Sequence, residues 1–285
     1  MNPFSATARL LALVCFTLLT TACMTSNQTT ADQGKTRQIE KIGVQLYTIR
    51  EQMAADFEGS LRKIAALGYD EVEFAGLYGR DPADVRKLLA DLSLDPVASH
   101  INSVELRRDP AAMIAQTKAL GARYMVIAWF PPEDRDTLTE WKEWIALFNK
   151  IGAMAKQEGI QFVYHNHEFE FIPIDGVRPY DLLLEQLDPE LVRMELDLYW
   201  LELAGVDPLP LFAKYPGRFP LLHVKDMSRQ DSSMADVGAG RIDFATIFAD
   251  RERSGTRHYF VEHDSTSDPF ASLANSISYL RNLRF

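Results

Sequence analysis

The chain of 285 residues is 47% hydrophobic and 25% charged, and its 40 acidic against 30 basic residues give a formal net charge of −10. That acidity argues against a polyanionic partner such as nucleic acid, and the length is enough to bury one sizeable core. Its two cysteines, Cys15 and Cys23, fall within the first 23 residues, so the remainder has neither a disulfide nor a thiol nucleophile.

Residues 1–23 form a leader, with Arg9 in a short opening region, an apolar run Leu10–Leu19, and then Thr20-Thr21-Ala22-Cys23. The run is too short for a permanent membrane span, and the small residues before Cys23 suit a cleavage site. The segment resembles a bacterial lipoprotein signal, which implies that Cys23 is acylated and anchors the protein to a membrane. It departs from that pattern at Thr20, where leucine is usual, and an ordinary secretory signal is the other reading. Both readings export the protein to the periplasmic or cell-surface side. Residues 24–40 are polar and without apolar periodicity, as a flexible tether would be.

From Lys41 onward, strand-like apolar runs alternate with amphipathic segments, which predicts βα units around a parallel sheet. The first strand is predicted over 42–48 and the first helix over 56–67, where Phe57, Leu61, Ile64 and Leu67 keep helical spacing up to Gly68. Strands follow over 70–74, 96–102, 124–129, 161–167, 191–197, 219–225 and 258–262. Further helices are predicted over 82–92, 110–120, 137–158 and 270–283. Eight strands alternating with helices give an α/β fold, a single-domain (β/α)8 TIM barrel over residues 41–285.

Three successive strands end in a metal-ligating side chain: Asp197, His223 and Glu262. A parallel barrel gathers the C-terminal ends of its strands around one mouth, where these groups would converge. One imidazole and two carboxylates suit a single divalent ion, Mn²⁺, Co²⁺, Mg²⁺ or Zn²⁺, in an open site. A lone Asp or His at a strand end is more often a helix N-cap or a satisfied polar group than a ligand; the recurrence on three strands is what argues for a site. Strand alternation also turns Lys225 to the same face as His223, where it would neutralise an enolate oxygen or pair with Asp226 or Glu195. The segment Val237-Gly238-Ala239-Gly240 is weak as a phosphate-binding motif, because it does not follow a strand in a dinucleotide-binding unit.

The signatures MELDLYW, PLLHVKD, VGAGRIDF, YFVEHD and GVQLYTIRE resemble the xylose-isomerase-like TIM barrels, the sugar isomerase/epimerase superfamily that includes D-tagatose 3-epimerase and inosose dehydratase. The resemblance implies a fourth metal ligand at the end of the fifth strand. His165 stands there in place of the glutamate of the epimerases, with His167 or Glu168 completing the site as acid/base or substrate contact. It also implies substrate contacts at Glu73 and His100, to which the inward positions Gln45 and Trp129 are added. Trp200 replaces a histidine of the family's D-x-x-H, which argues against a multinuclear site; its indole would stack on a sugar ring or pack at the rim.

These readings imply a metal-dependent isomerase or epimerase acting on an unphosphorylated sugar or keto-sugar through an enolate or enediolate, with Glu262, His165 and Lys225 carrying the chemistry. A dehydratase or lyase acting on a keto-sugar or keto-glycoside is the alternative, and a non-catalytic carbohydrate-binding lipoprotein the second. A homo-oligomer is compatible with all three.

Overall fold

Eight short apolar runs form the strands: β1 (Gly43–Gln45), β2 (Glu71–Phe74), β3 (Asp95–Ile101), β4 (Tyr124–Ile127), β5 (Gln161–His165), β6 (Val192–Asp197), β7 (Leu221–Val224) and β8 (His258–Val261). Each pairs in parallel with its neighbours in chain order, and β8 returns to β1 to close the barrel. The computed structural model describes residues 37–285, so the leader, Cys23 and most of the tether lie outside the described residues. Among the described residues no helix is long and apolar enough to cross a membrane.

The strands lie within the predicted runs, or within one residue of them, and several stop short of the predicted C-terminal ends, because the chain there turns out of the ladder toward the mouth. After Gln45, for example, the backbone enters a 3-10 turn, Leu46–Ile49, capped by the Gln45 side chain. Helices cover the barrel outside. Those over Phe57–Leu67, Pro82–Asp91, Pro110–Leu120, Leu138–Gln157 and Pro269–Asn282 stand where the spacing predicts them. An Asp-Pro pair starts the helices at Pro82, Pro110, Pro208 and Pro269: the aspartate accepts first-turn amides, and proline, lacking an N–H, occupies the first position without loss.

Strand alternation sorts the core into two parts. Outward-facing residues such as Met194, Leu196, Leu222 and Tyr259 join the helices in one large cluster. Inward-facing Ala98, Val126, Val163, Leu221 and Phe260 belong to a smaller one inside the barrel. Gly43 makes room for it, since a Cβ there would stand 2.5 Å from Phe260 Cδ1. Moving two residues toward the C-terminus along three strands, Val163 gives way to His165, Leu221 to His223 and Phe260 to Glu262. The apolar plug thus becomes the floor of a polar mouth.

Candidate active site

In register, Asp197 pairs with His223 and His223 with Phe260, so Glu262 stands two residues further along its strand's end, and its carboxylate reaches back to the His223 ring. Asp197 divides its carboxylate between two tasks. Its Oδ1 caps the helix Leu198–Leu203, accepting the N–H groups of Tyr199 (2.9 Å) and Trp200 (3.1 Å). Its Oδ2 is buried with no hydrogen-bond partner, 3.7 Å from His223 Nδ1 and 3.9 Å from His165 Nε2. His223 Nδ1, also without a hydrogen bond, lies 2.8 Å from Glu262 Oε2. The two expectations for Asp197, cap and ligand, are therefore compatible in one residue.

Beneath these groups lies a second set. His223 Nε2 donates to Glu73 Oε2 (2.6 Å) and stands 3.3 Å from Glu195 Oε2. His100 Nε2 is 3.2 Å from Glu73 Oε1, 3.4 Å from Glu195 Oε2 and 3.1 Å from Gln45 Nε2. Two groups thus have ligand atoms within 4.8 Å of one another: Glu73, His100, Glu195 and His223 below, and His165, Asp197 and His223 above. His223 belongs to both and presents a different ring nitrogen to each.

The electrostatics follow from burial opposed by neighbours. Burial disfavours the charged form of His223, but Glu195, Glu262 and Glu73 outweigh it and hold the imidazole well above its ordinary pKa. His100 behaves alike, raised to about 9 against burial by Glu73 and Glu195. Burial and the adjacent His223 push His165 down, and burial pushes His167 well down, so both are neutral near pH 7. Glu262 and Asp197 are held low against burial, chiefly by the Lys225 ammonium.

Lys225 differs from its expected pairing. Its Nζ contacts Asp264 Oδ2 (2.8 Å), Glu262 Oε2 (3.2 Å) and Asp197 Oδ2 (3.4 Å), and neither Asp226 nor Glu195. Asp226 instead grips the following loop, accepting the N–H groups of Met227, Gly238, Gly240 and Ile242. The glycine-rich segment wraps a carboxylate of its own chain, and a Cβ on Gly240 would collide with Asp226.

The mouth opens into a cleft of about 510 Å³. His100, His165, His167, Lys225, Glu262 and Trp129 line it as the sequence suggests, together with Asp264 and Tyr47, which the sequence reading passed over. Glu73, Glu168 and Trp200 do not line it. Glu73 is fully buried below the floor, and Glu168 is half-buried at the head of a 3-10 turn. Trp200 packs behind the wall, 5.6 Å from the His167 ring and with Lys225 Nζ 5.3 Å over its own. Asp264 and Glu195 were legible: each stands two residues from a predicted ligand, on the same face of the chain. Glu170 gave no such signal, because it follows a turn. Fully buried, it accepts the Tyr164 hydroxyl (2.7 Å) and the His167 N–H (2.9 Å), and burial raises its pKa to about 8.

Comparison with known proteins places this geometry. The profile of the family described as xylose isomerase-like TIM barrel matches residues 61–283. Inosose dehydratase of Lacticaseibacillus casei is 27% identical over 266 residues, covering 79% of this chain and 88% of that protein. A solved sugar phosphate isomerase/epimerase from Parabacteroides distasonis is 28% identical with a TM-score of 0.73, covering 84% of this chain and 96% of the other. The IOLI protein, solved with a bound zinc atom, shares the fold at 15% identity and a TM-score of 0.67, over 84% of this chain and 95% of that one.

Proposed function

The chain belongs to the xylose isomerase-like TIM barrel family, and from that premise we propose that it is a divalent-metal-dependent enzyme that removes a proton beside the carbonyl of an unphosphorylated keto-sugar and expels a β-oxygen, a dehydratase or lyase. The observation that carries the reading is the convergence of Asp197 Oδ2, His223 Nδ1 and Glu262 Oε2 below an open cleft, two of them buried without a hydrogen-bond partner. A buried carboxylate oxygen without a partner, beside an imidazole whose proton a metal would displace, fits a cation.

His165, Asp197, His223 and Glu262 would hold the metal, which when bound supplies Lewis-acid polarisation of the substrate's oxygens. The upper set is preferred to the lower because His165 and Glu262 line the cleft, whereas Glu73 and Glu195 are fully buried beneath it. On that assignment Glu73 holds the far nitrogen of His223 and orients the ring, as carboxylates behind metal-bound histidines do.

Glu262 is held ionised near pH 7 and lines the cleft, so it can accept a proton there, while the neutral His165 is in the form a metal ligand needs. Glu262 takes the proton from carbon. Lys225, 3.2 Å from Glu262, puts fixed positive charge beside the oxygen that becomes negative. Among the described residues Lys225 is also the only Lys or Arg lining the cleft, and it is engaged by three carboxylates, a poor setting for a phosphate group. The likeness to inosose dehydratase favours elimination. The proton held by Glu262 goes to the departing oxygen, which leaves as water or an alcohol; its return to carbon instead would give isomerisation or epimerisation, the second reading. The leader sequence supports export and lipidation at Cys23 as part of the same proposal.

Incubation with keto-sugar in deuterated water tests the common step. Uptake of deuterium at the carbon beside the carbonyl, or its loss with the departing oxygen, is expected. Solvent ¹⁸O entering a hydrolysed bond, with every carbon-bound hydrogen untouched, would refute it.

A further inference from the structure

We propose that the natural substrate is a glycoside, whose reacting ring lies at the charged wall of the cleft and whose linked group, a second sugar ring or an aryl aglycone, lies on an aromatic wall facing it. The inference rests on the function proposed above and deepens it by naming the substrate class.

The cleft is divided by strand. His165, Lys225 and Glu262 come from the ends of β5, β7 and β8, whereas Tyr47, Ala75 and Trp129 follow β1, β2 and β4, and His100 and Ile101 come from the end of β3 between them. Two large aromatic rings stand open in this second wall: Trp129 is 50% exposed and Tyr47 43%. Open aromatic surface beside a polar site marks a place where a ligand covers it. Tyr47 is braced from its own side, with the Arg50 guanidinium 4.4 Å from the ring centroid and Arg50 Nη1 donating to the Tyr47 carbonyl at 3.0 Å. Trp129 has no aromatic or cationic partner among the described residues and is half exposed.

A pyranose presents one face of C–H groups, and an aryl aglycone a flat ring; both stack on indole and phenol. The cleft volume of about 510 Å³ exceeds what one hexose fills and falls in the range of sites for larger ligands. Trp200 cannot serve instead, because it packs behind Lys225 and His167 outside the cleft.

The test measures binding by the metal-loaded full chain of the 4-nitrophenyl β-glycosides of glucose, galactose, mannose and xylose, each against its free sugar, by calorimetry. At least one glycoside should bind about three- to tenfold tighter than its sugar, the worth of one or two aromatic contacts. Trp129→Ala with Tyr47→Ala should abolish that ratio, and Trp129→Phe with Tyr47→Phe should keep most of it. Since both residues are exposed, the variants should melt with the wild type. No measurable binding of any glycoside, no preference over the free sugars, or a preference that survives the double alanine variant would each overturn the proposal. Metal content and deuterium exchange on the same preparations report the chemistry separately. Lost metal with retained preference tells against the proposed function, and retained metal without preference tells against the aromatic wall.

Discussion

The divided carboxylate of Asp197 allows its two tasks to be separated by two substitutions. Asp197→Asn keeps an oxygen able to accept the Tyr199 and Trp200 amides, and asparagine caps helices about as well as aspartate; it removes the charge that a divalent ion needs. Asp197→Ala removes both. Lys225 keeps Glu262 and Asp264 as partners in either variant, so neither change strands a buried ammonium. The difference between the variants is then the cap alone, about 0.5–2 kcal/mol. In a domain of this size that corresponds to roughly 2–4 °C per kcal/mol in melting temperature. Elemental analysis should find both variants depleted of metal, and thermal melts of metal-free protein should place Asp197→Ala below Asp197→Asn by that margin. Stoichiometric metal in Asp197→Asn would show the ligand to be wrongly assigned, and coincident melting would show that the cap contributes nothing.

Glu262→Gln preserves size and one oxygen but not basicity, so kcat should fall on the order of a hundredfold with a smaller change in KM, measured by steady-state kinetics on the keto-sugar substrate. Glu170 has a folded-state pKa of about 8, raised by burial above its unfolded value, so its protonated form stabilises the fold at low pH and that contribution is lost as pH rises from about 4.5 through 8. Urea titrations at pH 5 and pH 9 should show wild type losing more stability across that window than Glu170→Gln, by on the order of a few kcal/mol; parallel losses would refute the assignment. Cys23→Ser should move the protein from the membrane fraction to a soluble or unprocessed form, and an unchanged, processed membrane protein would end the acylation reading.

The barrel was legible because short apolar runs recur between amphipathic segments, several of them with a polar residue at the end, and because aspartate-proline and glycine punctuate the helices. The upper ligands were legible for the same reason: a charged side chain at the end of a buried strand is costly unless something pairs with it. What the sequence concealed depends on distances between strands far apart in the chain. Lys225 lies next to Asp226 in sequence, yet its ammonium reaches Asp264 on the neighbouring β-strand's end while Asp226 turns back into its loop. The pairing of Glu73 with His223 joins residues 150 positions apart, and no local pattern announces it. Trp129 reads as another inward residue at a strand end; only the closed barrel shows it standing half exposed at the cleft.

That separation of walls bears on how such a protein can change over evolutionary time. The groups that would hold the metal and move protons come from the second half of the chain, braced by Glu73 and His100 of the first, and the open aromatic rings come from the first. Insertions or substitutions after β1 to β4 can therefore alter what enters the cleft while the reacting centre keeps its spacing. A lineage could exchange one substrate for another without rebuilding its chemistry, and sequence drift should be faster in the loops of the first half than in the strand ends of the second.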